Sequence, residues 1–217
     1  MDRRSAESAA GRALRAAATL AAAAVVAVAL VSLVYDRAQP SIEASRRARQ
    51  LAELTAVLGD VVYDNDPLTD TVVLLDPELL GSEQPLTAHR VRRAGATVAV
   101  LLNVVAPDGY AGPIRLLVAV DTTGRVLGVR VLEHRETPGL GDVIEERRSG
   151  WIHGFDGRSL GDPPPDRWAV RRDGGDFDQF TGATVTPRAV VGAVRKALVY
   201  AERHRDELFA ATAPPTP

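Results

Sequence analysis

Thr97-Val98-Ala99-Val100-Leu101-Leu102-Asn103-Val104-Val105 is the stretch on which the fold turns. It is apolar and rich in β-branched side chains, so it reads as a strand. A second run of the same kind follows at 114–120, after the turn-like Gly109-Tyr110-Ala111-Gly112-Pro113. Asp121-Thr122-Thr123-Gly124 is a hairpin turn leading into a third run at 126–132. Three consecutive strands with short links predict an antiparallel meander. Trp168-Ala169-Val170 is expected to add a short fourth strand, and 157–166, with Pro163-Pro164-Pro165, to be a surface loop.

Downstream, the pattern becomes helical. Thr186 is expected as N-cap and Pro187 as the first helical residue, where a missing N–H costs nothing. Val190, Val191, Val194, Leu198 and Ala201 then fall on one face, with Arg188, Arg195, Lys196 and Arg203 mostly off it. That face predicts a terminal helix packed on the sheet, and with it an α+β domain over 96–205. Residues 206–217, Pro-rich at their end, are expected to be a flexible tail.

Upstream, 41–58 looks helical, with Ala44, Ala48, Leu51, Leu54 and Leu58 at spacings of three and four. Residues 59–95 suggest irregular α+β structure around a short apolar run at 71–75. Residues 36–95 are thus a linker helix and the first part of the folded domain.

The N-terminus is different again. Residues 16–34 hold nine Ala, five Val, three Leu, Thr19 and Ser32, with no charge. A spanning helix needs about 20 such residues. Eight Val and Leu supply about −2 to −5 kcal/mol of insertion free energy, which is adequate but not strong. A transmembrane helix over 16–35 behind a short cytoplasmic tail, 1–15, is therefore expected. A cleaved signal peptide fits less well, because the run exceeds an h-region of about 7–15 residues and no small-x-small site follows. A buried soluble helix is the third alternative. Arg3, Arg4, Arg12 and Arg15 precede the run, and Arg37, Arg46, Arg47 and Arg49 follow it, so the positive-inside rule does not settle orientation.

Composition narrows the chemistry. The 217 residues suit one or two domains, with 46% hydrophobic, 25% charged and a net charge of −2. No basic stripe appears outside the first fifty residues, which argues against nucleic acid as a partner. Lys196 is the sole lysine beside 25 arginines, a composition bias without functional weight. There is no cysteine, which excludes disulfides, thiol catalysis, Cys-ligated zinc, iron–sulfur clusters and thioether-linked haem. His89, His134, His153 and His204 show no helical metal-pair spacing. Neither a P-loop nor a G-x-G-x-x-G fingerprint is present.

Two segments remain that could carry chemistry. His134-Arg135-Glu136-Thr137-Pro138-Gly139-Leu140-Gly141-Asp142 leaves a strand with two glycines and a proline. It is either a tight exit turn or a loop turning Glu136, Thr137 and backbone amides toward a polar ligand. Asp178-Gln179-Phe180-Thr181-Gly182-Ala183-Thr184-Val185-Thr186-Pro187 crowds three threonines at a helix start beside Gly182. It is either a generous N-cap or a phosphate site, since a helix N-terminus offers unpaired N–H groups and about half a positive charge. Gly182 and Ala183 leave room for a bulky group.

Residues 173–198 closely resemble the C-terminal part of the RnfG/RsxG family, flavoprotein components of the Rnf/Rsx electron transport complexes. The family's [ST]-G-A-T signature, followed by Thr or Ser, reads here Thr181-Gly182-Ala183-Thr184-Val185-Thr186. The Glu136-Thr137-Pro138-Gly139-Leu140-Gly141 core resembles a second segment of the same family. Gly109–Gly112 and Tyr63-Asp64-Asn65-Asp66-Pro67-Leu68 are similar more weakly. The likeness spans about residues 60–205 plus the single N-terminal helix, and 70–95 match least.

The resemblance implies a small α+β FMN-binding domain, with FMN joined through its phosphate to a threonine hydroxyl. Carried over, the acceptor is Thr184, with Thr181 and Thr186 as its confounding neighbours. Thr181, Gly182 and Ala183 belong to the same cofactor-binding run, and Glu136 and Thr137 are candidates to contact the flavin ring or ribityl chain. Asp178 matches the Asp-x-x-[ST]-G-A-T context of a dedicated flavin transferase. No catalytic residue or metal is implied. The family reading places the flavin domain on the periplasmic side of the inner membrane, with lipid and the other subunits of an ion-translocating complex as partners. Two rival readings stand beside it: the C subunit of a sodium-translocating NADH:quinone reductase, and a non-redox, membrane-anchored ligand-binding or regulatory module.

Overall fold

Residues 97–105, 114–120 and 126–132 form the three strands expected of them, inside a larger sheet. In the computed structural model, which describes residues 3–210, the chain divides into two compact units, Met1–Arg49 and Gln50–Pro217. Helix α1 runs Arg3–Thr55 and supplies the structure described for the first unit. One segment within Ala24–Thr55 is apolar and long enough to cross a membrane by length and composition, and none of it is buried inside the protein.

The second unit is an α+β domain. Its sheet has five strands in sequential order: β1 (Thr71–Leu74), β2 (Leu86–Arg93), β3 (Ala96–Ala106), β4 (Ile114–Asp121) and β5 (Val126–Glu133). All four pairings are antiparallel. A short helix α2 (Pro77–Leu80), capped by Asp76 through the amide of Leu79, joins β1 to β2. The expected turn at Asp121 forms, with the Asp121 carboxylate accepting from the amides of Thr123 and Arg125 at 2.7 and 2.9 Å.

The alternation of β3 and β4 supplies both faces of the sheet. Val100, Leu102, Val104, Leu116, Val118 and Val120 point one way and are covered by α3 (Val185–Arg203). Val190, Val191, Val194, Leu198 and Ala201 line the buried side of that helix, as their spacing predicts. Ala99, Leu101, Leu117 and Ala119 point the other way, against Leu54, Val57 and Leu58. Burying each large aliphatic side chain is worth about 1.5–3 kcal/mol, so a sheet covered on both faces carries most of the domain's stability.

Three expectations change. Trp168-Ala169-Val170 is not a strand. Val170 makes one parallel bridge to Phe177, and 3-10 turns flank it at Pro165–Arg167 and Arg171–Asp173, leaving no length for a ladder. Residues 59–95 are more regular than expected, since β1 and β2 lie within them. Residues 206–210, assigned to a tail on sequence, are docked: α4 (Arg205–Leu208) ends on a fully buried Leu208. The rest of that expected tail, 211–217, lies outside the described residues.

Two buried arginines explain the docking. On β2, Arg90 donates to the carbonyls of Leu208 and Glu207 at 3.0 and 2.7 Å, and Arg92 to that of Ala210 at 2.9 Å. Both guanidiniums face the carboxylate of Asp70, Arg92 through its Nε and Arg90 at 3.8 Å. Asn65 completes the arrangement, its side chain taking the Arg92 amide at 2.8 Å and giving to the Arg90 carbonyl at 2.9 Å. Buried charge needs a partner, and removing one member of such a group costs about 3–5 kcal/mol. Asp70→Ala is therefore expected to lower unfolding free energy by about that amount in a denaturant titration. A loss below about 1 kcal/mol would show that the arginines are held by the tail carbonyls alone.

Candidate functional site

The cleft forms where three segments far apart in sequence meet. They are the β3–β4 link at 107–113, the loop after β5, and the start of α3. Glu136 is the junction. It is buried, and its two carboxylate oxygens accept from the amide of Ala111 at 3.0 Å and from the hydroxyl of Thr186. The loop carrying it turns tightly. The amides of Leu140 and Gly141 both donate to the Thr137 carbonyl, at 3.1 and 3.0 Å. Asp142, also buried, takes the Gly139 amide at 2.8 Å and meets Arg148 at 3.1 Å.

Gly141 is required by this closeness. A Cβ there would lie 2.8 Å from both Cβ and Oε2 of Glu136 and 3.1 Å from the Thr186 hydroxyl. Gly182 is required by conformation, because it turns the chain between Phe180 and Ala183 at φ 86°, the third position of a type II turn.

Just after that turn, Thr184 stands at the N-cap of α3, half-buried, and its hydroxyl makes no capping hydrogen bond. The expected cap therefore moves. Thr186 is the second helical residue and Pro187 the third, because the Thr186 hydroxyl is committed to Glu136 fifty positions upstream. The amides of Val185 and Thr186 have no intrahelical acceptor, so the helix presents two N–H groups and its positive end beside Thr184.

An aromatic cluster supports the irregular chain leading to this turn. Trp151 meets Phe155 and Phe180 edge-on at 5.4 and 5.2 Å, and Phe155 stacks on Phe177 at 4.8 Å. Trp151 Nε1 also donates to the Asp178 carbonyl at 2.8 Å. Two ion pairs add to this, Arg188 with Asp173 at 2.5 Å and Arg171 with Asp178 at 3.0 Å.

The resulting cleft has a volume of about 400 Å³. Glu136, Thr137, Gly182, Ala183 and Thr184 all line it, so five of the six residues singled out on sequence come together. Thr181 does not line it and lies exposed on the turn. Sequence reasoning missed three apolar lining residues. Tyr110, Leu140 and Val185 are 73%, 46% and 41% exposed, an unusual investment of apolar surface around one opening. Tyr110 sits in the turn-like Gly109–Gly112 segment, whose glycines were the one available signal for it.

Behind the loop, Glu136 donates its amide to His134 Nδ1 at 3.0 Å, and His134 Nε2 lies 2.7 Å from Glu145. The guanidinium of Arg147, and then His134, hold the Glu145 carboxyl down at about 2. Among the described residues, no group of His, Asp and Glu is arranged to hold a metal.

The geometry of Gly141 yields a direct test. Gly141→Ala forces the Glu136 carboxylate off Thr186, at a cost of about 1–3 kcal/mol from overpacking. Thermal unfolding of this variant should show that loss, and an unchanged melting temperature would mean the loop absorbs the methyl group without moving Glu136.

Comparison with known proteins places this arrangement. The FMN-binding domain family matches residues 109–199, a span that includes every residue lining the cleft. The G subunit of the ion-translocating oxidoreductase complex of Pseudomonas aeruginosa (strain UCBPP-PA14) is 54% identical over 181 residues, covering 83% of this chain and 84% of that protein. The protein of the same name from Shewanella loihica is 44% identical over 179 residues, covering 82% and 84%. That from Vibrio cholerae O395 is 44% identical over 178 residues, covering 82% and 85%. Carrying an FMN-binding domain and matching these proteins over most of its length, the chain belongs to the family of G subunits of ion-translocating oxidoreductase complexes.

Proposed function

We propose that the chain is a membrane-anchored electron carrier that holds FMN through a phosphoester to Thr184. The observation that carries this reading is the Thr184 hydroxyl. It lacks a capping bond, stands at the positive end of a 19-residue helix and lines the same cleft as three exposed apolar side chains. A phosphate on that oxygen would meet the amides of Val185 and Thr186 without displacing any existing hydrogen bond. Gly182 keeps the approach open, since only a Leu140 methyl, at 3.8 Å, lies near its Cβ position.

The residues present fit the remainder of the cofactor. Tyr110, Leu140 and Val185 would cover an apolar ring system, while Thr137 offers a polar contact at the rim. Glu136 is a poor direct ligand for an anion, but its charge is already met by Ala111 and Thr186. Bound FMN would supply reversible acceptance and release of electrons, and the chain supplies position and environment. Covalent attachment removes dissociation as a route of loss.

The N-terminal helix would anchor the chain as a single pass in the cytoplasmic membrane, with the flavin domain on the extracytoplasmic side and lipid around α1. Maturation calls for a flavin transferase, for which Asp178-Gln179-Phe180-Thr181-Gly182-Ala183-Thr184 is the recognition context. The immediate partners are then the other subunits of the complex, since the relatives are named as one subunit of such an assembly. Those names favour this reading over a reductase C subunit.

The experiment is co-expression with and without an active flavin transferase, followed by a denaturing gel viewed for flavin fluorescence. A fluorescent band is expected only with the transferase, and Thr184→Ala should abolish it while the chain stays folded. A dark band beside an active transferase overturns covalent attachment, and a label that survives Thr184→Ala moves it to a neighbouring threonine.

A further inference from the structure

We propose that His134 is a protonation-sensitive latch that positions the loop carrying Glu136 and Thr137 into the cleft. The proposal rests on the reading of that cleft as the cofactor site.

The geometry defines the ring's state. His134 Nδ1 accepts the Glu136 amide at 3.0 Å, so its proton is on Nε2, which donates to Glu145 at 2.7 Å. The imidazole is therefore neutral and its one lone pair is in use. Glu145 stays ionised throughout the working pH range, because Arg147 and then His134 keep its carboxyl at about 2. A second proton on the ring can go only to Nδ1. There it meets the Glu136 N–H head to head, and that bond is lost. The Nε2 bond survives and becomes an ion pair, so the charged ring stays on Glu145 while releasing the backbone of Glu136. The side chain of Glu136 holds both Ala111 and Thr186, so release of its backbone reaches the cleft through those two contacts.

Protons have access to the ring. His134 lines a second, open cleft of about 520 Å³, separate from the first in its lining. Arg130 and Glu133 of β5 and Glu145, Glu146 and Arg147 of the following segment face it there. Arg130 pairs with Glu146 at 2.8 Å and Arg147 with Glu145. His153 also reaches Glu146, at 3.2 Å, and pairs with Asp156 at 2.9 Å, so it serves as the control histidine on this side.

The test uses the full chain without cofactor, labelled with nitrogen-15. The exchange rate of the Glu136 amide, corrected for its intrinsic pH dependence, is measured between about pH 8 and about pH 5. The expected results are an Nε2–H tautomer at the upper pH and about tenfold loss of protection at the lower. His134→Asn can offer an acceptor in place of Nδ1 but does not titrate, so it should stay protected at both pH values. His134→Gln can place a donor toward Glu145 but puts no acceptor at the Nδ1 position that the amide uses, so protection should be absent at both. His153→Gln should behave as the parent. Protection that ignores pH in the parent chain, an Nδ1–H tautomer, or pH dependence retained in His134→Asn would each overturn the latch. In the FMN-loaded chain, the midpoint potentials of parent and His134→Asn should agree at about pH 8 and separate below about pH 6. Coincident potentials at every pH would break the link to the cleft. A chain that takes up no flavin fails the Thr184 assignment, and the amide measurement then decides the latch separately.

Discussion

The carboxylate of Glu136 is the tie on which the cleft depends. A buried charge is costly unless its oxygens are hydrogen-bonded. Here one oxygen takes the Ala111 amide and the other the Thr186 hydroxyl. Those partners belong to the β3–β4 link and to the first turn of α3, so one side chain fixes three segments that share no sheet pairing. Its demands spread outward. Gly141 must be glycine because Glu136 fills the space where a methyl group would go. Thr186 cannot cap its own helix because its hydroxyl is taken. That leaves the N-cap position to Thr184, with a hydroxyl that caps nothing.

The rest of the domain keeps this junction rigid. The two-faced sheet holds β3, β4 and β5 in register, and α3 is seated across β3 and β4 by an apolar stripe. The chain between β5 and α3 has no such ladder. It relies instead on both tryptophans and three of the four phenylalanines, gathered in one cluster, and on Arg–Asp pairs at the surface. A chain with only 5% aromatic residues has placed half of them in the segment that lacks regular structure.

How much of this was legible in the sequence follows from the range of the interactions. β3, β4, β5 and the buried face of α3 declare themselves through local periodicity, which is a property of neighbours in sequence. β2 does not. Leu86–Arg93 contains His89, Arg90, Arg92 and Arg93, and reads as solvated until the carbonyls of 207–210, more than a hundred residues later, are seen to accept its guanidiniums. The docked residues 206–210 were hidden for the same reason. The N-cap was misplaced by two residues because Pro187 suits the first helical position locally, whereas Thr186 answers to Glu136 fifty residues away. For the cleft, the two loop motifs were visible as glycine-rich turns, and all their singled-out residues except Thr181 converge. Tyr110, Leu140 and Val185 were not, since nothing in a sequence marks an apolar residue as exposed.

Peptide mass spectrometry tests the attachment at Thr184 most directly. The chain, matured with a flavin transferase, is cut at arginine, and the fragment spanning residues 173–188, which holds Thr181, Thr184 and Thr186, is sequenced by fragmentation. An added mass of FMN less one water, localised to Thr184, is the predicted result. An unmodified Thr184, or the same mass on Thr181 or Thr186, would contradict it.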